Sequence, residues 1–431
     1  MVRPGSEEVV KLAKKMGFED VVAQISSTKD EQVKIACGRI ENVFDREYQV
    51  LTLHLEKDKK IISITLENPL NARVERVLTQ ASKAIKNLTP NKDYNGIADL
   101  SYRSELKTEE VNFDLVPKAH EALDSSGDFE IAGLINGFWE SRELSTSNGV
   151  FYQDKNEFYN ACFRVYKDVE TSGQAVECQP TAEKLDMGSC VKKAGELAKK
   201  AEGAKKAESG VYDVIYAPLA FAGLSSLILD FASIFYIESG LSFLQDRLGE
   251  QIASEVFTLY DDPTIDSVNK RRFDEEGVKT EKNAIIDHGV FEKYILNTSF
   301  ARKYKKESTG NAGLTAPRPW CGVIEGSNKS YESLISEVEK GVLITNTWYT
   351  RFQNYKTGEF STMPRDCALL IENGELKNPL KYLRINDSFE RMLKNIVSMS
   401  REREHIYWWE TRTPVVAPYA LIRGAQITTS T

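Results

Sequence analysis

Side chains that build metal centres and disulfide frameworks are scarce in this sequence. Its 431 residues include four histidines and six cysteines. No two histidines lie within one helical turn of each other, which excludes a zinc site built locally from an HExxH motif. The cysteines form no CxxC pair, and scattered thiols in a chain of this length are typical of an intracellular protein whose cysteines are mostly buried.

Long apolar runs and an excess of positive charge are absent as well. The most apolar stretch, residues 219–237, is interrupted by Ser225, Ser226, Asp230 and Ser233, whereas a membrane-spanning helix needs about 20 consecutive apolar residues. The N-terminus has no apolar signal core. We therefore expect a cytoplasmic protein without a membrane segment. The net charge of −8 also argues against direct nucleic-acid binding, which depends on clustered Lys and Arg.

The patterns that are present indicate an α+β protein with two domains, since the chain exceeds the length of one average domain. Apolar spacing predicts helices at residues 6–15 and 74–86, and alternation predicts two strands around a turn at residues 57–60. An Asn-Gly pair at residues 148–149 predicts a further hairpin. We expect a mixed N-terminal α+β domain, residues 1–209, and a strand-rich C-terminal domain with a few helices, residues 210–431.

A change in composition marks the expected boundary between these domains. Residues 190–210 are rich in Ala, Lys and Glu, and they predict a helix that ends at Gly210. Five lysines recur at about seven-residue spacing in this stretch: Lys192, Lys193, Lys199, Lys200 and Lys206. A solvated helix face is the simpler interpretation, and a basic stripe for a partner is the alternative.

Turn signals dominate the second half of the chain. The pairs at residues 288–289, 357–358 and 373–374 predict hairpins, because each separates two apolar runs. Ser330 predicts the start of a helix that continues to Lys340, with Gly341 just past its end. The apolar stretch that follows Pro218 predicts a buried core helix.

Local motifs of catalysis are missing. The GLSSL segment that starts at Gly223 is not the GxSxG nucleophile elbow, and the glycines at residues 310–313 match neither phosphate-binding fingerprint. The adjacent Asp261 and Asp262 more simply end a strand or cap a helix than act as an acid–base pair. We therefore predict no catalytic residue and no metal ligand on this chain.

One polar stretch, residues 297–313, is denser in hydrogen-bonding groups than the rest. Its backbone N–H groups and side-chain donors are suited to an anion or a peptide backbone. A glycine turn held by its own hydrogen bonds explains the composition equally well. The candidate residues for a substrate or partner cleft are Arg302, Lys303, Ser308, Thr309 and Asn311.

A series of short motifs follows in a fixed order along the second half. They are YDDP from Tyr260, FDEEGVKT from Phe273, IDHGV from Ile286, SFARK from Ser299, STGNAG from Ser308, GVLIT from Gly341, NYKTGEFS from Asn354 and IENGEL from Ile371. This order resembles the TldD/PmbA family, whose members were historically called modulators of DNA gyrase. The resemblance covers most of the chain and is looser before residue 140.

In the TldD branch of that family, a helix after a strand carries HExxxH, which supplies two zinc ligands and a general acid or base. A cysteine near the C-terminus adds a ligand. The corresponding strand and helix here, residues 211–218 and 220–231, offer no metal ligand before Asp230, and no cysteine follows Cys367. The resemblance therefore implies the PmbA or TldE branch, whose members pair with a zinc-bearing TldD subunit.

The resemblance implies a catalytically silent subunit of a zinc metalloprotease that acts on unfolded or extended peptides. Zinc is expected on the HExxxH partner and no cofactor on this chain, which would complete the wall of the substrate cleft. Binding at a strand edge would suit such a substrate, because backbone hydrogen bonds tolerate any sequence.

Two other functions remain open. A stand-alone homodimeric peptide-binding protein needs no catalytic partner. A hydrolase with a dispersed site would use His288, His405 and Cys321. Residues 405–414 depart from the family pattern, and their Trp408 and Trp409 would suit a partner surface, although burial beneath a sheet is the simpler interpretation.

Overall fold

The computed structural model describes residues 3–107 and 111–429. Residues 1–2, 108–110 and 430–431, which belong to the two predicted domains, lie outside the described part of the chain. Two β-sheets organise this part, one built from residues 21–179 and the other from residues 205–429. Within the described residues the second sheet has fourteen strands and the first has seven, although the strands of the first are longer. This is the α+β architecture that the sequence predicts.

The N-terminal sheet is dominated by four long antiparallel strands. Within the described residues its strands are β1 Val21–Ala36, β2 Arg39–Lys57, β3 Lys60–Glu67, β4 Tyr102–Ser104, β5 Glu130–Thr146, β6 Val150–Tyr166 and β7 Ser172–Gln179. They lie in the order β3-β2-β1-β5-β6, and both β4 and β7 pair with β6. The helices of this region are α1 Ser6–Lys15, α2 Asn71–Ala84, α3 Val116–Asp124 and α4 Met187–Lys200, with 3₁₀ turns at Ile85–Asn87 and Ala182–Lys184.

Helices cover one face of this sheet. Towards one end α1 and α2 pack on the sheet, and towards the other end α3 and α4 do so. Successive side chains of a strand point to opposite faces, so Val33 and Ile135 pack beneath the helices while their neighbours Gln32 and Asn136 point the other way. The uncovered face is therefore directed towards the C-terminal region, where Phe158 joins the core.

The C-terminal sheet is larger and mixed. Within the described residues its strands are β8 Lys205–Lys206, β9 Gly210–Tyr216, β10 Leu259–Asp261, β11 Asn283–Asp287, β12 Val290–Phe291, β13 Gly322–Ile324, β14 Lys340–Ile344, β15 Trp348–Asn354, β16 Glu359–Met363, β17 Ala368–Glu372, β18 Glu375–Lys381, β19 Leu383–Ser388, β20 Ile396–Ile406 and β21 Val415–Thr429. The helices are α5 Pro218–Ala232, α6 Ile234–Glu238, α7 Thr298–Lys303, α8 Tyr331–Ser336 and α9 Phe389–Lys394. The last strand, β21, holds the sheet together because it pairs with β9, β13, β19 and β20.

Helix α5 is the predicted core helix. Every one of its residues except Asp230 is buried, and it packs between the sheet and the surrounding aromatic side chains. Across residues 3–107 and 111–429, every helix falls short of the length and hydrophobicity that crossing a bilayer requires. The six cysteines are unpaired, and four of them are buried while Cys37 is exposed, which confirms the prediction of mostly buried thiols.

The predicted hairpins are confirmed, and their turns have the expected backbone conformation. Both central residues have positive φ at Asp58–Lys59, at His288–Gly289 and at Asn373–Gly374. This is the combination that a two-residue turn needs in order to match the twist of its strands. The turn chemistry was thus a reliable guide to these connections.

Two predicted helices end earlier than their sequences suggest. Helix α4 ends at Lys200 rather than near Gly210, because Gly203 adopts a left-handed conformation with φ +72° and the chain then enters β8 and β9. Helix α8 ends at Ser336, because Lys340–Ile344 pairs with β9 and β17. In both places strand pairing with distant segments overrides a composition compatible with helix.

The five lysines near the boundary do not form one helical stripe. Lys206 lies in β8, beyond the end of α4. Lys193 forms an ion pair of 2.5 Å with Glu404 of β20, and Lys199 lies over the ring of Phe129. The early end of α4 is the physical reason, since helical spacing applies only while the helix continues.

Candidate functional site

A cavity of about 730 Å³ lies between the uncovered face of the N-terminal sheet and the C-terminal region. Alternate residues of β1, β2, β5 and β6 form its floor. The start of β15 and residues 407–411, which follow β20, form its roof. Because α3 and α4 cover the opposite face of the sheet, the strand period alone directs these floor side chains towards the cavity.

A row of three amide side chains runs across the sheet, and two of them, Asn136 and Asn160, line the cavity floor. Gln32 Nε2 donates to Asn136 Oδ1 at 2.7 Å, and Asn136 Nδ2 donates to Asn160 Oδ1 at 3.4 Å. These residues are direct cross-strand neighbours in the β1–β5–β6 register. Asn160 Nδ2 in turn lies 3.5 Å from the carbonyl oxygen of Tyr407 in the roof. The row connects the two domains and presents amide groups of the kind that bind a peptide backbone.

A charged pair lies beside this row. Arg46 Nε donates to Asp30 Oδ1 at 2.7 Å, and the two residues are opposite each other in the β1–β2 register. Asp30 is buried whereas the Arg46 side chain is largely exposed. Together with Tyr48 they line the cavity. The pair leaves this part of the floor polar and close to neutral.

The far end of the cavity is closed by a buried polar cluster centred on Asp366. Its carboxylate accepts hydrogen bonds from Arg164 Nε, from Ser172 Oγ at 2.6 Å and from Asn346 Nδ2. Arg164 and Ser172 belong to the N-terminal sheet, and Asn346 and Asp366 belong to the C-terminal region. A buried charge is tolerated when it is paired and hydrogen-bonded in this way, so the cluster joins the domains.

Gln174 extends this cluster to the roof. Its Oε1 accepts from Asn346 Nδ2 at 2.7 Å and from the indole Nε1 of Trp348 at 3.3 Å. The Trp348 ring is also flanked by the guanidinium groups of Arg365 and Arg164, 4.5 Å and 5.1 Å from the ring centroid. These cation–π contacts help to hold the Trp348 indole in one position.

The roof carries a cluster of four aromatic side chains, which we call the aromatic wall: Trp348, Tyr349, Trp408 and Trp409. Ring centroids lie 4.9 Å apart for Trp348 and Trp409, 5.4 Å for Trp408 and Trp409 and 6.0 Å for Tyr349 and Trp409, all edge to face. Trp408 is 5% exposed and Trp409 is 58% exposed. Burial beneath the sheet is therefore confirmed for Trp408 and wrong for Trp409, because Trp409 rests only against other aromatic rings at the rim.

Helix α5 lies behind the roof. A Cβ atom added at Gly223 would lie 3.7 Å from Thr347 Oγ1, which immediately precedes Trp348. The helix hydroxyls are satisfied internally, since Ser225 Oγ donates to Phe221 O and Ser226 Oγ donates to Gly223 O. The helix that the family resemblance equates with the zinc-motif helix thus approaches the roof through Thr347 and offers no charged or basic group there.

The residues of α5 do not fit a zinc ion. Its one ionisable side chain, Asp230, pairs with Arg412 at 3.2 Å, and burial raises the pKa of Asp230 to about 6. Throughout the described ranges, no three His, Cys, Asp or Glu side chains come together as a metal-binding group. Zinc in proteins needs at least three such ligands.

Of the five residues assigned from sequence, Arg302 and Lys303 lie at a contact between the domains. Arg302 Nη1 donates to the carbonyl oxygen of Asn95 at 2.6 Å. Lys303 Nζ lies 2.7 Å from Glu238 and 3.2 Å from Asp93. The neighbouring Ser299 and Phe300, with His54 and Tyr94 from the N-terminal region, line a second, smaller cavity of about 280 Å³.

The other three residues make hydrogen bonds within the loop and its surroundings. Ser308 Oγ accepts from Gly310 N at 3.3 Å, and Thr309 Oγ1 bonds both backbone groups of Leu296. Asn311 is fully buried and donates to Asp261. Among the described residues, none of the five lines the larger cavity. These contacts fit the hydrogen-bonded turn, and a direct role of the five residues towards substrate or partner stays a prediction.

Sequence reasoning missed the residues that build the larger cavity. Asn136, Asn160, Gln174, Trp348 and Asp366 lie on five separate strands or loops, and no local spacing relates them. The one available signal was the pair Trp408 and Trp409 in a segment that departs from the family pattern. Alternating amides on long strands would have been a second signal once strand pairing was known.

A two-domain α+β protein with a cavity between its sheets is the class that this geometry defines. Residues 209–429 match the PmbA/TldA metallopeptidase C-terminal domain family. Because the match spans half of the chain, the protein belongs to this family. The ordered motifs from Tyr260 to Ile371 lie within the matched residues. Strand β9 and helix α5 are the first long elements of the matched region.

Relatives and solved structures agree with this assignment. An uncharacterized protein of Methanocaldococcus jannaschii is 24% identical over 97% of this chain and 98% of its own length. The metalloprotease PmbA of Escherichia coli O157:H7 is 32% identical, but over only 38% of this chain and 35% of that protein. The crystal structure of TldE from Thermococcus kodakarensis superposes with a TM-score of 0.83 at 21% identity, covering 98% of this chain and 99% of that chain. At this identity the likeness shows a shared fold.

Proposed function

We propose that this chain is the non-catalytic, PmbA/TldE-like subunit of a cytoplasmic zinc metalloprotease complex that cleaves unfolded or extended peptides. The partner would be a TldD-like subunit that holds zinc through HExxxH. One observation carries the proposal: α5, which the family resemblance equates with the zinc-motif helix, is buried and has no zinc-binding donor set, and its Gly223 approaches Thr347, the residue before the cavity-lining Trp348. Family membership and the TldE fold support it.

The cavity has the features that an extended peptide requires. Its floor presents the amide side chains of Asn136 and Asn160, which can exchange hydrogen bonds with a peptide backbone whatever its sequence, and Gln32 holds Asn136 in place from the neighbouring strand. A strand edge borders the same floor. Residues 50–57 of β2 pair with β3 and Gln49 O accepts from Asn68 N, whereas in the described part of the chain residues 39–48 pair with β1 alone. Arg46 and Tyr48 from this edge line the cavity. An added peptide strand would therefore run alongside it.

The decisive experiment compares the chain by itself with the reconstituted complex. Each would be incubated with an unfolded protein substrate in the presence of zinc, and cleavage would be followed by mass spectrometry. We expect no cleavage by the chain, cleavage by the complex, and loss of that activity on chelation of the metal. The matched control is the partner subunit alone. Metal-dependent cleavage by the pure chain, lost on replacing His288 or His405, would overturn the proposal and favour the dispersed site.

The homodimeric peptide-binding protein is the second candidate. It is favoured by the fact that one chain supplies both the floor and the roof of the cavity, so binding needs no partner residue. Native mass spectrometry of the protein captured from its host extract separates the two candidates. A complex that contains one HExxxH subunit and its zinc supports the protease. A metal-free dimer of this chain supports the binding protein.

A further inference from the structure

We propose that the aromatic wall is a selectivity pocket for one aromatic side chain of the bound extended peptide. This inference rests on the proposed function, because it assigns a substrate preference to the same cavity. Trp409, which lines the cavity, would contact the guest ring, and Trp348, Trp408 and Tyr349 would hold the Trp409 indole in place. The proposal adds a preference for an aromatic side chain in the substrate. Neither the family motifs nor the absence of zinc donors implies such a preference.

The first reason is an exposed indole in a fixed position. Trp409 is 58% exposed although three aromatic rings touch it. Large apolar side chains that stay exposed beside a cavity are typical of binding surfaces. A fourth ring would find the edge-to-face geometry that the three existing contacts already show, and aromatic pairs of this kind are favourable beyond the area that they bury.

The second reason is preorganisation of the wall by hydrogen bonds. Tyr349 adopts φ +56°, a left-handed conformation that costs free energy for a residue other than glycine. Its backbone N–H donates to Glu410 Oε1 at 2.8 Å. The bond joins the segment of Trp348 and Tyr349 to the segment of Trp409 and Glu410. Rigid aromatic anchors bind with a small loss of conformational entropy.

The third reason is charge, which selects the class of guest. Three guanidinium groups surround the wall: Arg164 and Arg365 lie over Trp348, and Arg351 lies 5.4 Å from the ring of Tyr349. Two of these charges are offset, because Asp366 pairs with Arg164 and the Glu410 carboxylate lies near Arg351. The Arg365 guanidinium over the Trp348 ring would repel a lysine or arginine side chain at the wall. An uncharged aromatic ring therefore fits these surroundings better than a cation.

The test uses hexapeptides with blocked ends in a Gly/Ser host, with Phe, Ala, Lys or Asp as the central guest. Binding to the full-length chain is measured by fluorescence anisotropy of a labelled peptide. We expect the Phe guest to bind about tenfold more tightly than the Ala guest, as for a single well-packed aromatic contact. The Lys guest should bind no better than the Ala guest. Equal affinity for all guests, a preference for Lys or Asp, or no binding of any peptide would overturn the pocket.

Three variants assign the preference to the wall. Trp409→Ala should remove the difference between Phe and Ala guests while leaving the Ala guest unchanged within about twofold. Trp409→Phe should retain most of the difference. Tyr355→Ala, an exposed aromatic at the opposite end of β15, is the matched control and should change neither affinity. If Trp409→Ala lowers the affinity for the Phe and Ala peptides equally, the indole contacts the peptide backbone or supports the fold, and the proposed pocket is refuted.

Failure of the pocket and failure of the proposed function are distinguishable. A chain that assembles with an HExxxH subunit but binds all guests alike retains the proposed function and lacks the pocket. A chain that prefers the Phe guest but assembles with no such subunit retains the pocket and loses the protease role.

Discussion

Asn311 Nδ2 donates a hydrogen bond of 2.6 Å to Oδ2 of Asp261, fifty positions earlier in the chain. The other carboxylate oxygen of Asp261 accepts from the backbone N–H groups of Trp320 and Cys321 at 2.7 Å and 2.8 Å. Both side chains are fully buried. The contact joins the YDDP and STGNAG motifs, the first and the last of the cluster that identifies the family in this region.

We expect Asn311→Ala to lower the free energy of unfolding by about 2–3 kcal/mol, because the variant leaves a buried carboxylate with one donor fewer. Chemical denaturation followed by circular dichroism measures the change. Ser308→Ala, in the same loop, is the control and should cost less than about 1 kcal/mol, since its hydroxyl makes one long bond of 3.3 Å within the turn. Similar losses for both variants would contradict a structural role specific to Asn311.

Asp261 should also make stability depend on pH. Burial raises its pKa to about 6, above the ordinary value near 4. The folded state therefore binds the proton more tightly than the unfolded state does. The resulting contribution of Asp261 to the free energy of unfolding is fully present below the ordinary pKa and is lost as the pH rises through about 6. Over that window it amounts to about 3 kcal/mol. Burial raises the pKa of Asp274 and Glu276 in the same direction.

The Asp261→Asn variant isolates this contribution. The difference in unfolding free energy between wild type and variant should shift by about 2 kcal/mol against the wild type between pH 4.5 and 8. Rotation of the Asn311 amide lets its buried Oδ1, which has no partner, accept from the new amide, although it removes the bond from Asn311 Nδ2 to Arg318 O. That loss does not depend on pH, so it leaves the pH-dependent difference intact. A difference that is independent of pH would show that Asp261 is not protonated on folding.

We expect Asp366→Ala to be the most damaging single change near the cavity. It would remove the carboxylate that pairs with Arg164 and that accepts from Ser172 and Asn346. Breaking a buried pair in this way costs about 3–5 kcal/mol, because the remaining charge is left uncompensated. Glu170→Ala, which removes an exposed partner of Lys381, should cost below about 1 kcal/mol. Equal thermal unfolding of the two variants would argue against this view of the cluster.

Arg302→Ala tests the contact between the domains and the role assigned from sequence. Loss of its bond to Asn95 O should increase hydrogen exchange around residues 93–97 while lowering the free energy of unfolding by only about 1 kcal/mol. If Arg302 is also a cleft or partner residue, the reconstituted complex should lose activity or assembly. The exposed Lys306 provides the control variant. Unchanged hydrogen exchange at residues 93–97 would contradict the contact between Arg302 and Asn95. An unchanged peptidase rate together with unchanged assembly would rule out Arg302 as a cleft or partner residue.

The features that could be predicted are those that depend on neighbours in sequence. The turns at residues 288–289 and 373–374 require positive φ at adjacent positions, which Asn, His and Gly supply locally. The start of α8 follows from Ser330, whose hydroxyl accepts from Ser333 N. The ends of α4 and α8 could not be predicted, since pairing of β8 and β14 with distant strands terminates the helical segments.

The sequence by itself determined the α+β class, the order of motifs that defines the family, and the apolar character of α5. These depend on residue identity and on short-range spacing, which are present in the chain before it folds. Only the tertiary structure decided where the candidate site lies. Strand register brings Gln32, Asn136 and Asn160 into one row, and the Asp366 cluster joins them to the segment of Trp348. Such contacts form between residues on separate strands and loops, from about twenty to more than a hundred and seventy positions apart, so the free energy of the whole core fixes them and no local pattern encodes them.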